Sequence, residues 1–476
     1  MSDRCAAKLS PEPSTPGIRE PLVTVNDLPA DVLLLVFCAV RDTESHCTPW
    51  ALASVCHTWR ELVENVSSFW TRLVIWVDEP NGPLPLARIR KHLACSRELP
   101  IDIFISRRRE WQPPMGTDHE EKARVKAIMD VLAPHMKRWR SLLLRLLHSD
   151  SLPLPRIDLV GHADKLKILS LDSIIDDSAA SDEAASPITG EFHTPELTEL
   201  FMKGVHFREV YVKPCLQMSQ FPPPPTLQSI CISKYESHHP PFPLVDLLLC
   251  LLHCVMTHLR LADLALDCSY TGPPILETTY TRLGSVAFFD ITGNVLAEFH
   301  RLLSHPVFAK VSYTRCSKDD NAILGASYSL DIEGITDAMT LLKLLLSAVR
   351  SPHLCCEVSF KDCDGLSSEV MKPLSRPFAT PHGEQWPACP YIKALTFQGC
   401  KRFHSSALRS LLQARYDAHA ASGSVGEDEP GFMVSAVKEL YVTDCCELAQ
   451  EDLEWFDRHV AVVRWDDWTG GYDRRS

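Results

Sequence analysis

The feature that most constrains this chain is an internal repeat, in which apolar residues at positions 1, 4 and 6 mark a short strand and an amphipathic stretch follows. The copies are Trp139-Leu142-Leu144, Leu166-Leu169-Leu171, Leu197-Leu200-Met202, Leu227-Ile230-Ile232, Leu261-Leu264-Leu266, Leu283-Val286-Phe288, Cys355-Val358-Phe360, Ile392-Leu395-Phe397 and Val437-Leu440-Val442, with a weaker copy through Tyr328 and Leu330. They recur irregularly, roughly every 22 to 45 residues. Most units therefore carry a full helix or an inserted loop, and candidate helices are Phe242 to Cys254, Val295 to Ser304, Ile335 to Val349, Ser405 to Ala420 and Ala449 to Val460. Repeated strand–helix–strand units stack into a curved parallel sheet with helices outside. The predicted fold class is α/β.

Cys363, Cys400 and Cys445 each stand three residues after the last apolar position of their copy. A leucine-rich repeat puts Asn or Cys there, facing inward where the chain leaves the strand. The residues between the apolar positions alternate to the other face, which parallel stacking lines up along the concave surface. In the last three copies they are Glu357, Ser359 and Lys361, then Ala394, Thr396 and Gln398, then Glu439, Tyr441 and Thr443. Glu357, Lys361, Gln398, Glu439 and Tyr441 are the candidate contacts for a target protein, although a solvated sheet face without ligand explains their polarity equally well.

Upstream of residue 75 the period is helical. Val32, Leu33, Val36, Phe37 and Val40 form a stripe beginning at Asp31. Thr48-Pro49 caps a second helix carrying Leu52, Val55, Cys56, Trp59 and Leu62. Phe69-Trp70 then leads into a strand, Leu73 to Val77. The resulting division is a disordered, Pro- and Ser-rich tail 1–23, a helical module 24–72, a linking or capping region 73–135, the repeat domain 136–466 with solvent loops 176–190 and 420–431, and a tail 467–476.

Composition narrows the function classes. With 48 Lys+Arg against 61 Asp+Glu, the formal charge of −13 disfavours nucleic acid and acidic substrates. The 18 cysteines form no Cys-x-x-Cys pair, no secretory or lipidation signal is present, and reduced thiols in cytosol or nucleus are expected. The most apolar stretch, Leu244 to Leu266, is interrupted by Asp246, His253, His258, Arg260 and Asp263, and reads as a buried helix followed by a strand rather than a membrane span. Dinucleotide, P-loop, zincin and nucleophile-elbow signatures are missing. Cys250, His253, Cys254 and His258 share a helical face, but a half-buried packing role suits them better than zinc, so no metal or cofactor is expected. Arg107-Arg108-Arg109 reads as a solvated basic loop.

The segment Val25 to Trp70 resembles an F-box, the helical module that joins a substrate receptor to the Skp-type adaptor of a cullin-RING ubiquitin ligase. Leu28-Pro29 with Asp31 is similar to the family's opening Leu-Pro-x-Glu. Val32, Leu33, Val36 and Phe37 are similar to its first-helix pattern, Val55-Cys56-His57-Thr58-Trp59-Arg60 to its Val-Cys-Lys-x-Trp-Arg core, and Phe69-Trp70 to its closing Leu-Trp. Asp31 and His57 depart mildly from the pattern. An F-box followed by leucine-rich-repeat-like units resembles receptors common in fungi. The resemblance implies a three-helix F-box followed by an irregular leucine-rich-repeat-like α/β solenoid. It also implies a non-catalytic receptor whose adaptor contacts come from Leu28, Pro29, Val32, Val36, Phe37, Val55, Cys56 and Trp59. Two other readings stay open: a scaffold bound to the adaptor outside any ligase, and an N-terminal helical cap on the repeats.

Overall fold

A computed structural model describes residue 25 and residues 28–43, 49–78, 85–108, 120–178, 190–218, 223–276, 283–304, 307–317, 326–347, 355–380, 383–386, 391–421 and 434–473. The tail 1–23 and most of the loops 176–190 and 420–431 lie outside these residues, as does Thr48. The chain divides into two compact units, Met1–Trp70 with Leu93–Arg97, and Thr71–His92 with Glu98–Ser476.

In the first unit, helices Ala30–Thr43, Pro49–Ala53 and His57–Asn65 are followed by the 3-10 turn Ser67–Trp70. Leu33, Phe37, Leu52, Val63, Phe69 and Trp70 form its core. The Phe37 ring lies 4.6 Å from Trp59, Trp50 meets Trp70 edge-on at 4.9 Å, and Trp70 Nε1 donates to the Val63 carbonyl at 2.8 Å. The single second helix expected from Pro49 through Leu62 is in fact two. Ser54 Oγ turns back to the Ala51 carbonyl at 2.7 Å, and Cys56 adopts extended backbone as the next helix's N-cap, its Sγ accepting from Trp59 N at 3.5 Å. A side chain offering the backbone such a local partner ends one helix and starts another.

The second unit carries a fifteen-stranded sheet whose strands lie side by side in chain order, from Arg72–Trp76 to Trp468–Gly470, with every neighbouring pair parallel except the last. Region 73–135, read from sequence as a link or cap, supplies two of these strands. Leu73 and Ile75 pair with Ile103 and Ile105, which pair with Leu142 and Leu144. The segment 467–476 likewise supplies the closing strand Trp468–Gly470. Helices stand at Leu244–Leu251, Gly293–Leu302, Ala338–Ser347, Ser405–Ala421 and Gln450–His459, each within or close to its expected range.

One register differs from the sequence reading. Ile230 and Ile232 pair with Leu259 and Leu261, so the copy in strand His258–Leu264 is Met256-Leu259-Leu261, five residues before the expected one. Strand Val307–Thr314 adds an unexpected copy, Phe308-Val311-Tyr313, and the weak copy resolves as Leu330 with Ile332. The backbone fixes this frame independently of the apolar pattern. In eight successive strands the residue two beyond the last apolar position has positive φ: Lys234, Asp263, Asp290, Arg315, Gly334, Asp362, Gly399 and Asp444. Asp and Gly recur there because they enter the left-handed region at the least cost. At Gly399 (φ +66) a Cβ would also lie 2.0 Å from Asp362 Oδ1.

Three of the cysteines one residue further on repeat a single bond, while Cys445 instead accepts from Cys400 N at 3.3 Å. Cys316 Sγ donates to the Phe288 carbonyl at 3.4 Å, Cys363 to Ile332 at 3.4 Å and Cys400 to Phe360 at 3.7 Å, each reaching the last apolar position of the preceding strand. Each thiol is thus a weak donor to a carbonyl at the exit of the neighbouring strand.

The apolar positions share one face, which the helices cover. Leu366, Met371, Leu374 and Leu411 close over Val358, Phe360, Leu395 and Phe397, and Phe299 meets Phe288 edge-on at 5.0 Å. Glu121 is fully buried at the start of helix Glu121–Leu132, where it accepts from Arg107 Nη1 at 2.9 Å, Leu147 N at 3.0 Å and His148 N at 2.9 Å. Arg107 therefore belongs to a buried ion pair rather than to the solvated loop expected of 107–109, because a buried carboxylate demands a charged partner. Arg109 lies outside the described residues.

Candidate docking surfaces

Helix Ala30–Thr43 is apolar on both faces, while the first unit covers only one. Leu33 and Phe37 point into the core with Leu34 and Cys38 packed beside them. Val32, Leu35 and Val36, three and four residues apart, form an uncovered ridge, 40%, 71% and 43% exposed. Val25 and Val55 add further exposed apolar surface, at 48% and 58%.

The eight residues expected to contact an adaptor therefore separate. Val32, Val36 and Val55 are exposed as a contact surface requires, Pro29 is exposed, and Leu28 is half-buried against the core. Phe37, 1% exposed, is corrected to a core residue, since i and i+4 on the inner stripe share the buried face. Cys56 is half-buried as a helix cap. Trp59 packs its ring on Phe37, and its buried Nε1 lacks a hydrogen-bond partner. Leu35, the most exposed of the ridge, was missing from the expected set because it falls between the stripe positions that mark the core.

In the second unit, the residues between the apolar positions form continuous rows on the opposite sheet face. One row runs Val74, Phe104, Leu143, Ser170, Phe201, Cys231 and Arg260, then Ala287, Ser312, Asp331, Ser359, Thr396, Tyr441 and Arg464. Its first six members are mostly apolar and half-buried, and at strand spacing they span about 24 Å. Apart from Ala287, its later members are polar.

The five expected target contacts do come together on strands Glu357–Lys361, Ala394–Gln398 and Glu439–Thr443, with Glu357 in one row with Glu439 and Lys361 beside Gln398. Several are already engaged with their own neighbours. Lys361 Nζ meets Glu333 at 2.7 Å. Tyr441 donates to Glu439 at 3.0 Å beneath Arg464, and partial burial together with the Glu439 carboxylate raises its pKa. Lys310 pairs with Asp331 at 2.6 Å. Exposed pairs of this kind give a partner little to gain. Phe201 falls within a copy that the sequence marks, Leu197-Leu200-Met202, whereas Phe104 shows as a member of the same face only when the repeat is extended back to Leu73.

A cleft of about 500 Å³ lies among Val125, Met129, Leu152, Leu154, Ile157 and His206. Burial, against the opposing fields of Asp176, Asp150 and Asp177 and with the help of Lys203, holds the His206 pKa down at about 4 from its ordinary 6.5. Unfolded His206 takes up a proton below pH 6.5 and the folded residue does not until about pH 4. The stability this burial permits is therefore complete above pH 6.5 and falls as the pH drops from 6.5 to about 4, by about 3 kcal/mol at most. Urea unfolding across that window is expected to show this slope, and His206→Gln to flatten it. Asp102, whose carboxyl is held low by Arg140 and Ser141 against the effect of its burial, adds a further loss only in more acidic solution.

Cys250, His253, Cys254 and His258 do not assemble a metal site, and His258 instead bonds Ser285 Oγ at 2.5 Å. Among the described residues the group able to hold an ion is His162, Asp164 and His193. No helix among the described residues is long and apolar enough to cross a membrane. Compared with known proteins, the chain matches no protein-family model and none of the curated proteins.

Proposed function

We propose that the chain is a non-catalytic substrate-receptor subunit of a Skp-cullin-F-box ubiquitin ligase, with residues 24–72 as the F-box and the repeat domain as an irregular leucine-rich-repeat-like solenoid that holds a target protein. The observation that carries this reading is helix Ala30–Thr43, whose inner stripe completes a core while Val32, Leu35 and Val36 stand uncovered. A small helical unit with that much exposed apolar surface suits a protein partner. The order Leu28-Pro29, Val55-Cys56, Trp59-Arg60 and Phe69-Trp70 resembles the F-box pattern, which supports a Skp-type adaptor as that partner. Proximity is then the catalytic contribution, since the receptor brings a target to an enzyme carrying ubiquitin.

On the second unit, the half-buried apolar row Val74, Phe104, Leu143 and Phe201 suits a target better than the ion-paired C-terminal rows do, because apolar and aromatic anchors dominate interface affinity. Affinity capture of the tagged full chain, with and without a block of cullin neddylation, tests the reading. A receptor accumulates its target under the block. Capture of the adaptor with the same companions in both conditions makes the chain an adaptor-bound scaffold instead.

A further inference from the structure

The two-stranded parallel ladder Gly161–His162 with Phe192–His193 stands outside the large sheet. Its register sets His162 directly beside His193, held by Gly161 N to Glu191 O and Ala163 N to His193 O, both 2.8 Å. Side chains alternate along a strand, so residues two apart share a face. Asp164 thus falls on the side of His162, and Glu191 on the side of His193. Burial bears this out, since Ala163 and Phe192, the alternate positions, are 0% and 6% exposed while both imidazoles face solvent. The short motifs His162-Ala163-Asp164 and Glu191-Phe192-His193 present two imidazoles flanked by a carboxylate at each end.

The distances suit a shared ion. His162 Nδ1 stands 3.7 Å from Asp164 Oδ1 and His193 Nδ1 3.8 Å from Glu191 Oε1, and the imidazole rings are 5.2 Å apart. The ligand atoms of His162, Asp164 and His193 all lie within 4.8 Å of one another. Tetrahedral ligands at about 2.0–2.2 Å from zinc are separated by about 3.5 Å, so small side-chain rotations close the set. Each carboxylate is too far from its histidine for a hydrogen bond, so neither contact consumes the ring nitrogens as donors.

We propose that His162, His193 and Asp164 form a divalent transition-metal site, with zinc as the fitting ion and Glu191 placed to join as a fourth ligand. Imidazole with carboxylate is a donor set that zinc accepts and that calcium or magnesium, which prefer all-oxygen sites, does not. A bound ion ties the strand at 161–162 to that at 192–193, and any coordination position left open faces solvent, where water or a partner's side chain takes it.

The experiment uses the full chain, with zinc and then cobalt as probes. After dialysis from excess zinc, the wild type is expected to retain one equivalent more than the His162→Ala/His193→Ala variant by metal analysis. Cobalt in that equivalent is expected to give visible bands without the near-ultraviolet thiolate-to-cobalt transition, which separates the site from the chain's cysteines. Asp164→Asn is expected to keep the circular dichroism of the wild type and to weaken zinc binding by at least about tenfold. Equal metal content in wild type and double variant, a thiolate band accompanying the extra equivalent, or undiminished zinc affinity in Asp164→Asn overturns the proposal.

Discussion

A chain carrying Leu35→Asp and Val36→Asp is expected to fold as the wild type does and to lose affinity for a Skp-type adaptor by about 100-fold or more. Both side chains already face solvent, at 71% and 43% exposure, and substitutions at such places shift stability by only about 0.5 kcal/mol. At a desolvated interface the same changes remove two apolar anchors and bury two unpaired carboxylates, at about 2 kcal/mol or more apiece. Leu33→Asp is the contrasting case. It lies two positions before Leu35 on the same helix, is 2% exposed, and puts its charge into the core, so it should unfold the first unit and lose binding for that reason. Calorimetric titration with purified adaptor, read beside circular dichroism, separates the two outcomes. Equal loss of helix in both variants would contradict the assignment of Leu35 and Val36 to a contact surface.

The largest effect on stability is expected at Glu121. Its buried carboxylate collects the Arg107 guanidinium and the amides of Leu147 and His148, at the start of helix Glu121–Leu132 and the end of strand Trp139–His148. Glu121→Ala leaves the half-buried Arg107 with the more distant Asp78 carboxylate at 4.0 Å and takes the acceptor from the Leu147 and His148 amides, and breaking the pair in this way costs about 3 kcal/mol. That is a large share of the roughly 5–15 kcal/mol that holds a typical domain together. A fall of several degrees or more in the thermal midpoint is the expected reading, partly relieved in the double variant Glu121→Gln/Arg107→Leu, where the cation is gone and the amide still accepts. An unchanged midpoint for Glu121→Ala would mean that the ion pair is not structural.

The repeat was legible wherever a copy stood alone between polar residues, as Val437-Leu440-Val442 does. It misled where the apolar alternation ran on. Across Met256, Leu259, Leu261, Leu264 and Leu266 two frames satisfy the 1-4-6 pattern, and apolar character cannot choose between them. The positive-φ residue two places after each strand can. Asp263 marks Leu261 as the last apolar position, as Asp290 marks Phe288 and Asp362 marks Phe360. The strand at Leu73 to Val77 was readable, but its membership of the repeat was not, for a related reason. Leu73, Val74 and Ile75 are apolar on both faces, so the alternation that flags a strand with one wet face is blurred. That same blurring places Val74 on the open sheet face.

The exposed residues proposed to face an adaptor were partly readable, and the limit was the helix's double apolar character. A hydrophobic stripe records which side of a helix avoids water, but not whether the cover is the chain itself or a partner. Phe37 and Val36 are adjacent in sequence and belong to opposite sides of helix Ala30–Thr43, and only packing distinguishes them. The His162–His193 pair was unreadable for another reason. His-x-Asp and Glu-x-His are commonplace three-residue strings 27 residues apart (Asp164 to Glu191), and nothing in either announces that a two-residue ladder sets them side by side.

Titration of the full chain with a purified Skp-type adaptor by calorimetry tests the central claim most directly. The account predicts one-to-one binding with a dissociation constant of about 1 μM or tighter and a negative heat-capacity change from apolar burial, since the uncovered ridge of Val32, Leu35 and Val36 is the surface removed from water. Absence of heat at tens of micromolar with a correctly folded chain, or equal affinity for a fragment that begins at residue 80, would contradict it.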